Sequence, residues 1–385
     1  MSKMEYKLHE LYEVSNGLSK SKEYFGTGFP FLTYSTVFNN YFIPTEIVDL
    51  VQSNEKEQKS YSIKQGDVFI TRTSETTNEL GMSCVALKDY SFATYNGFCK
   101  RLRPITNLTY PLYMGYYFRT AIFRSNFIKI ASLITRASLR NEDLLNFKVE
   151  LPSIEYQKKI ANILYQYDKL IENNNKRIKI LEQIAEELYK EWFVRFRYPG
   201  YGGKISETDL PEGWKIEKLG NLANVSTGKC NREDAEEDGI YPLFDRSQKI
   251  KRSNNWIKDC EAIIMPGEGT KFIPRYYKGK FNLHQRCYCV EPLKKDIGLF
   301  LFYTLKLNRS YFLSVATGAT VPSLRMNNFL SMKFIYPTQD LYQKFNVIVS
   351  NLFKEIENIE MINENLIKQR DLLLPRLMSG KLEVK

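Results

Sequence analysis

Histidine is scarce in this chain of 385 residues, and its cysteines form no pattern. His9 and His284 are the only two histidines, and the six cysteines occur at no repeated spacing. Cys287 and Cys289 could supply two metal ligands, but no second pair completes a zinc site. The sequence therefore predicts no metal centre, and it favours free structural thiols in a reducing cytosol.

Signals for membrane insertion and export are also missing. No stretch approaches the roughly 18 apolar residues that indicate a membrane-spanning helix. The first residues, MSKMEYKLHELYEV, contain no apolar run and no small-residue cleavage site, so they do not resemble a signal peptide. We expect a cytoplasmic protein that makes no contact with a membrane.

Catalytic motifs are absent as well. NVSTGKC resembles a phosphate-binding loop, but Ala223 stands where that loop needs glycine, and Cys230 replaces the Ser or Thr that would hold magnesium. There is no Asn-Pro-Pro-aromatic or Asp-Pro-Pro-aromatic run, and no glycine-rich loop for S-adenosylmethionine. PGEGTK, residues 266–271, has an acid and a lysine without a partner acid at nuclease spacing. We predict that this chain has no catalytic residue.

What the chain does have is an excess of positive charge. Its 55 Lys and Arg exceed its 44 Asp and Glu, which gives a net charge of +11. Between Phe244 and Arg286 ten basic residues accompany four acidic ones, and residues 119–140 contain no acid. Basic segments interleaved with aromatic and polar residues suit a phosphate backbone and base edges. From charge alone, a merely solvated basic face is equally compatible.

The chain also repeats itself. SLRNEDLLNFKVELPS at 138–153 returns as SLRMNNFLSMKFIYPT at 323–338, an ungapped offset of 185. LHELYEVSNG at 8–17 returns as LGNLANVSTG at 219–228, an offset of 211. Two offsets mean that the halves begin and end alike but differ in length between. The sequence therefore predicts a duplicated unit with variable middles.

A long helical pattern follows each copy of the SLR passage, after residue 153 and after residue 338. Ser153 and Thr338 are good N-caps, each followed two residues later by an acid, Glu155 and Asp340. Apolar positions then recur by sevens, which predicts a coiled coil. The predicted packing positions of this helix pair are Ile160, Tyr167, Asn174, Leu181, Leu188, Phe345, Leu352, Ile359, Leu366 and Leu373.

Further rows accompany this stripe, and they leave alternatives open. A companion row of Ile163, Leu170, Arg177 and Ile184 is predicted to pack in the same helix pair. A third row that begins at Leu164 widens the stripe, so a further protein could pack there. Burial against the chain's own domains is the other interpretation. Asn174 interrupts the apolar row, either as a buried residue that fixes register or as a water-facing bulge. Pro375 and Gly380 are expected to end the second helix.

Several fragments resemble the specificity subunit of type I restriction–modification systems. They are LPEGWKIEKLGNLANVSTGK (210–229), ELYKEWFVRFRYPG (187–200), LLPRLMSGKLEV (373–384), GDVFITR (66–72) and the helix start LP…QKKI (151–160). The resemblance covers essentially the whole chain. The sequence departs from the family at EYKLHEL, where a Leu-Pro-x-Gly-Trp opening is usual, and at YPTQDLYQK, which lacks the usual acidic–Gln pair.

The resemblance implies two target recognition domains, each a small α/β unit that reads one part of a split DNA sequence. The long helices would separate these domains and dock two modification (methyltransferase) subunits, which methylate adenine N6 from S-adenosylmethionine. Restriction subunits, which translocate and cut DNA with ATP and magnesium, would join the same complex. No cofactor is expected on this chain itself.

We expect an α+β fold in which two similar α/β domains, related by a pseudo-twofold axis, are separated by two long antiparallel helices forming a coiled coil. The predicted limits are 1–151 for the first domain, 152–197 for the first helix, 198–336 for a linker and the second domain, and 337–385 for the second helix and tail. The expected function is non-catalytic recognition of a bipartite, asymmetric target in double-stranded DNA. The alternatives are a self-contained DNA methyltransferase or nuclease fragment, and a coiled-coil scaffold without nucleic acid.

Residues that contact bases cannot be carried over from the family, because the middles of the halves vary, so the candidates come from polar and basic loops. Arginine pairs bidentately with guanine, and Asn or Gln with adenine, which is why these types lead. Arg140 and Arg325 occupy repeated positions and could equally form structural ion pairs. The candidates of the first domain are Lys20, Lys22, Arg72, Thr73, Ser74, Asn96, Lys100, Arg136 and Arg140. Those of the second are Lys229, Arg246, Gln248, Lys249, Lys251, Arg252, Lys271, Arg275, Gln285, Arg286 and Arg325.

Overall fold

The chain divides into two compact units. The structure, a computed structural model, describes residues 3–72, 79–131, 140–201 and 210–384. One unit comprises Met1–Asn174 with Ile362–Lys385, and the other comprises Asn175–Met361. Each unit therefore holds one globular domain and a section of each long helix. The predicted domain limits follow the ends of the helices instead, and they stay a prediction.

The first globular domain mixes strands and short helices. Its strands are β1 (Lys3–Lys7), β2 (Tyr12–Asn16), β3 (Phe25–Leu32), β4 (Leu50–Val51), β5 (Val68–Thr71), β6 (Ser83–Val85), β7 (Thr94–Tyr95), β8 (Cys99–Pro104) and β9 (Lys148–Pro152). Its helices are α1 (Leu8–Leu11), α2 (Tyr34–Asn39), α3 (Glu55–Ser60), α4 (Pro111–Tyr117), α5 (Ala121–Ala131) and α6 (Asn141–Leu145), followed by the long α7 (Ile154–Tyr189). Its sheets have the strand orders β2-β8-β5-β6, β4-β3-β7 and β1-β9.

The second globular domain follows the same plan with a larger sheet. Its strands are β10 (Lys215–Lys218), β11 (Ala223–Thr227), β12 (Tyr241–Phe244), β13 (Lys251–Ser253), β14 (Lys258–Pro266), β15 (Arg275–Leu283), β16 (Cys287–Pro292) and β17 (Lys333–Tyr336). Its helices are α8 (Gly298–Leu307), α9 (Arg309–Val315) and α10 (Met326–Leu330), followed by the long α11 (Gln339–Ser379). Six strands form one sheet in the order β11-β16-β14-β15-β12-β13, and β10 pairs with β17.

The sequence repeats lie on equivalent elements of the two domains. The earlier repeat forms β2 and β11, which pair antiparallel with β8 and β16. The later repeat forms α6 and α10, which bury Leu144 and Phe329, and then β9 and β17. These last strands pair antiparallel with β1 and β10 and lead directly into the long helices.

Each core lies among the sheets and helices of its own unit, including an end of each long helix. In the first domain α4 begins with Pro111 at a position where its missing N–H costs nothing, and it buries Tyr113 and Tyr116. In the second domain α8 is apolar on all sides, and its residues from Gly298 to Leu305 are buried. A helix without a polar face is stable only in such an interior.

The long helix α7 starts where the cap pattern predicts. The Ser153 carbonyl accepts the Gln157 N–H at 3.0 Å. The fully buried Gln157 amide also donates to the carbonyls of Pro152 at 2.9 Å and Leu108 at 2.8 Å. These bonds satisfy backbone carbonyl groups at the start of the helix that burial would otherwise leave unpaired.

The predicted end of the second long helix is wrong at Pro375. This proline lies inside α11, which continues to Ser379. A proline removes one hydrogen bond of the helix, but Leu374 and Leu377 are buried in the core of the first unit and hold the last turn in place. Gly380 follows with φ 78°, the left-handed conformation that commonly ends a helix.

Within the first unit the two long helices run antiparallel. The Asn174 amide donates to the Asn363 side chain at 2.8 Å, and Arg370 forms an ion pair with Asp168. Asn363 is buried, so Asn174 makes a polar bridge inside the helix pair rather than a water-facing bulge.

Within the second unit the direction of pairing is the same. The Arg177 guanidinium lies 3.1 Å from the Glu355 carboxylate, and the Tyr189 and Phe345 rings are 6.0 Å apart. Two similar α/β domains with long helices that pair antiparallel confirm the expected α+β fold.

The buried stripe of α7 differs from part of the predicted one. The prediction that the companion row packs in the helix pair is wrong, because Ile163, Leu170 and Ile184 are exposed. Leu164 and Ala185, from the third row, are buried instead. Of the predicted packing positions, Ile160, Phe345 and Ile359 are buried, while Tyr167, Asn174, Leu181, Leu188, Leu352, Leu366 and Leu373 are partly buried.

Candidate nucleic-acid interface

A tight turn between two strands has the same backbone hydrogen bonds in both domains. In the first domain the Asn96 N–H donates to Leu32 O at 3.0 Å, and the Cys99 N–H donates to Asn96 O at 2.9 Å. The Arg72 N–H donates to Phe98 O at 2.9 Å. We call this place, formed by residues 16–20, 32–33, 72 and 95–100, the first strand junction.

The second domain repeats this set of bonds. The His284 N–H donates to Phe244 O and the Cys287 N–H to His284 O, both at 2.9 Å. The Gly267 N–H donates to Arg286 O, also at 2.9 Å. Residues 227–230, 244–248, 267–269 and 283–287 form the second strand junction, in which His284 is equivalent to Asn96 and Arg286 to Phe98.

A glycine makes the close approach possible in each junction. A Cβ on Gly17 would overlap the carbonyl oxygen of Asn96, and a Cβ on Gly228 would overlap that of Leu283. Only glycine permits such a contact between backbones. The sequence echo of SNG and STG therefore marks the backbone of the junction rather than a phosphate-binding loop.

The first strand junction presents few free charges. Lys100 is buried and donates to Asn16 Oδ1 at 3.4 Å and to Asn141. Its burial, together with the nearby Arg72, lowers the pKa of Lys100. The Asn96 side chain accepts the Phe98 N–H at 2.8 Å, and the Phe98 ring is 59% exposed.

The other candidates of the first domain are placed differently. Lys20 forms an ion pair with Glu57 at 2.9 Å and donates to Gln52 O at 2.6 Å. Lys22 is exposed in a 3-10 turn, and Arg140 is exposed at the start of α6. Thr73, Ser74 and Arg136 lie outside the described residues.

In the second strand junction two arginines share one carboxylate. The Arg286 guanidinium donates to Glu268 Oε1 at 2.6 Å, and the Arg246 guanidinium donates to Glu268 Oε2. Arg246, Glu268 and His284 line an open cavity of about 310 Å³ together with Asp245, Ser247, Gly269 and Val321.

Three charged residues, Arg275, Lys251 and Asp245, stabilise the loop that follows Phe244. Arg275 donates to Ser247 O at 2.9 Å and covers the Phe244 ring at 5.0 Å. Lys251 lies 2.8 Å from the Asp245 carboxylate. Although burial raises the pKa of Asp245, hydrogen bonds from Lys251 and Ser247 outweigh it and bring the pKa to about 2. Arg275 and Lys251 thus stabilise the loop itself.

The remaining candidates of the second domain are exposed. The Gln285 amide donates to the Asn231 side chain at 2.7 Å, and Arg325 precedes α10 with its own N–H bonded to Asn328 at 2.6 Å. Exposed side chains at the same surface or beside it are Lys229, Gln248, Lys249, Arg252 and Lys271.

Sequence reasoning missed Phe98, Glu268 and His284. A third offset would have found Phe98 and His284, because Asn96 to His284 and Cys99 to Cys287 are both displaced by 188 residues. Glu268 lies inside PGEGTK, where the sequence suggests only a nuclease acid.

The helices of the described residues include none with the length and apolar character of a membrane span. No group of three or more metal-binding side chains occurs in that part of the chain either.

Two copies of one α/β domain, each leading into a long helix and each with its own strand junction, define a duplicated, two-domain protein. The chain belongs to the type I restriction modification DNA specificity domain family, whose profile matches residues 1–183 and 211–368. This membership confirms the expected resemblance. Members of the family are non-catalytic specificity subunits, so the chain is not the enzyme itself, and the alternatives of a self-contained methyltransferase or nuclease and of a scaffold fall away.

Individual relatives agree with this membership. The chain is 27% identical to the type I restriction enzyme MjaIX specificity subunit of Methanocaldococcus jannaschii, over 98% of this chain and 93% of that protein. It is 29% identical to the EcoDI specificity subunit of Escherichia coli, over 46% of this chain and 40% of that protein. The fold resembles the crystal structure of a type I restriction-modification S subunit from M. genitalium, with a TM-score of 0.57 and 16% identity over 98% of this chain and 96% of that one.

Proposed function

We propose that this chain recognises a bipartite, asymmetric target in double-stranded DNA, with one half-sequence read by each strand junction. The observation that carries the proposal is the pair of junctions. Their backbone hydrogen bonds are the same, whereas the side chains they present differ, as Phe98 and Arg286 illustrate. One scaffold with two sets of side chains suits two different half-sequences, because base edges are read by side chains in the grooves.

The charge of the chain supports DNA as the ligand. The exposed cations beside the second junction, Lys249 and Arg252 among them, suit phosphate contacts, which give affinity without sequence information. The paired cations Lys20 and Lys251 contribute less to such contacts, since each faces a carboxylate and their side chains are only 16% and 20% exposed.

The long helices would dock the partners that do the chemistry. Ile163 in one unit and Ile348 in the other are equivalent by the offset of 185, and both are exposed, at 36% and 43%. Because this exposed apolar side chain recurs at the same position of the repeat, it suits two copies of one partner. We infer that two modification subunits, which use S-adenosylmethionine, bind these faces, and that restriction subunits using ATP and magnesium complete a cytoplasmic complex.

Methylation mapping tests the DNA-reading proposal. Methylated adenines would be mapped in the host genome with and without this gene. The expected result is one split sequence that is methylated only when the gene is present. Methylation that is unchanged by the deletion would contradict the proposed function.

The docking proposal has a separate test. Ile163→Asp and Ile348→Asp, singly and together, should reduce the number of modification subunits bound from two to one and to none in analytical ultracentrifugation. Lys158→Asp, at an exposed position of α7, is the matched control for Ile163→Asp, and this variant should bind both modification subunits. Normal assembly of the double variant would refute docking at these faces.

A further inference from the structure

The carboxylate of Glu268 is more sheltered than the two guanidinium groups it binds. Its side chain is 17% exposed, whereas those of Arg246 and Arg286 are 45% and 56% exposed. These ion pairs add little to the stability of the fold, since exposed ion pairs contribute about 0–1 kcal/mol. The arrangement fixes the direction of two exposed arginines.

The loop that carries Glu268 is itself fixed on both sides. The Gly269 N–H donates to Pro322 O at 2.9 Å, and the Leu324 N–H donates to Gly267 O at 2.8 Å. A Cβ at Gly267 would lie 2.8 Å from Arg286 O, so the two backbones touch. Since the neighbours of Glu268 are anchored in this way, its carboxylate has a defined position.

His284, which lines the cavity, has a defined tautomer in its neutral form. His284 Nδ1 accepts the backbone N–H of Arg286 at 3.0 Å, so the neutral ring carries its proton on Nε2. Burial and the charge of Arg246 lower the pKa of His284, which keeps the ring neutral near pH 7. The cavity is therefore lined by a neutral ring and the oriented Arg246, and Arg286 is held beside it by the same carboxylate.

Guanine is the base that such arginines recognise. It presents two acceptors, O6 and N7, in the major groove, and one guanidinium can donate to both. A guanidinium has five N–H donors, so the bond to Glu268 leaves enough for this bidentate contact. A side chain already held in its binding conformation loses less entropy when it binds.

We propose that Arg246 and Arg286 are specificity-determining residues that read guanine in the half-sequence of the second domain, and that Glu268 is the positioning residue that orients both. The inference rests on the proposed function, because it requires that the second strand junction contacts DNA. It goes further by assigning a base and three named roles.

The experiment uses the complete methyltransferase complex, assembled from this chain and its modification subunits. The complex methylates a randomised duplex library with S-adenosylmethionine, and methylated molecules are sequenced. Arg286→Ala and Arg246→Ala should each reduce discrimination for a guanine in the second half-sequence by about tenfold to a hundredfold. The first half-sequence should stay unchanged.

Variants of the acid distinguish positioning from mere stability. Glu268→Gln should relax the same guanine positions by a smaller factor, about threefold to tenfold, while thermal unfolding is unchanged. Arg286→Lys should keep only part of the discrimination, because an ammonium group can donate to guanine but lacks the planar fork that Glu268 holds in one orientation. Arg252→Ala, an exposed cation of the same domain, is the control and should lower methylation evenly across sequences.

Three outcomes would overturn the inference. They are a second half-sequence without a guanine on either strand, full discrimination in both arginine variants, or a change confined to a cytosine position in Glu268→Gln, which would mean that the acid reads the base itself. Failure of the unaltered complex to methylate any split sequence would overturn the proposed function, and the inference with it.

Discussion

The two strand junctions share a backbone but present different chemistry. Each has the same three hydrogen bonds around its turn and the same glycine contact. The first presents an exposed phenyl ring, Phe98, where the second presents Arg286, which is bound to Glu268. Thr33 of the first, a helix cap that accepts the Thr36 N–H, corresponds to Asp245 of the second.

If the junctions read DNA as proposed, this difference indicates how such a chain changes its specificity. Backbone bonds do not depend on the side chains that project from the turn, so those side chains can vary while the junction persists. Charge can therefore differ between the junctions without loss of fold, and each junction can suit a different base sequence. Four changes to the chain would break or sharpen this comparison.

The largest effect should come from the glycines. Gly17→Ala and Gly228→Ala each place a Cβ against a carbonyl oxygen, so each should lower the free energy of unfolding of its own unit by about 3 kcal/mol. Hydrogen exchange, followed separately in the two units during urea unfolding, measures this. Thr227→Ala, at the exposed neighbour, should change stability by less than about 0.5 kcal/mol. Tolerance of one glycine change but not the other would mean that the junctions are built differently.

The next effect concerns Asp245, which has a titratable group where the first junction has a hydroxyl. Its pKa, about 2 in the folded chain, lies below the usual value near 4. A depressed pKa stabilises the fold above pH 4, and that contribution is lost as the pH falls toward 2. Asp245→Asn should therefore cost about 2 kcal/mol at pH 6, and the gap to the unaltered chain should narrow by about 1 kcal/mol at pH 3.

Urea unfolding at pH 6 and at pH 3 measures this gap. Thr227→Ala, at an exposed residue of the second junction that carries no titratable group, is the control, and its effect should be the same at both values. A gap for Asp245→Asn that does not change with pH would rule out the ion pair with Lys251 as its source.

The repeats could be predicted from sequence because both copies have the same internal contacts. The SLR passages each form a short helix and a strand that bury Leu144 or Phe329, so their patterns survive. The junctions were harder, because their shared feature is backbone bonding, and only Gly17 and Gly228 mark it. The buried face of α7 does not follow from the sequence alone, since the rows that begin at Ile160, Ile163 and Leu164 are all mainly apolar.

The roles of basic residues could not be predicted from their positions in the sequence. Lys100, Lys251 and Arg275 were candidates for DNA contact, yet each one bonds to its own domain. A run of cations does not tell which side chains face a carboxylate or a carbonyl after folding. That depends on partners such as Asp245, which sits in the same basic stretch and looks like a surface acid.

The third change tests charge beside the second junction against charge beside the first. Lys249 and Arg252 are exposed, so replacing both by Ala should remove about two phosphate contacts. The slope of log affinity against log salt should then fall by about 1.8 in magnitude, and binding should weaken about tenfold. Lys20→Ala, at the ion-paired cation of the first domain, should change the slope by less than about 0.45, the value for half of one phosphate contact. Equal slopes for all variants would show that none of these cations contacts phosphate.

The smallest effect should come from Phe98, the residue equivalent to Arg286. Its ring is 59% exposed, so Phe98→Ala should change the free energy of unfolding by less than about 0.5 kcal/mol. An exposed ring on a surface that contacts DNA can pack against the thymine methyl group. The variant should therefore lose about 1 kcal/mol of discrimination, or about fivefold, at a position of the first half-sequence only. Methylation of a randomised library by the complete complex measures it. If Phe98→Ala altered the second half-sequence instead, the assignment of one half-sequence to each junction would be wrong.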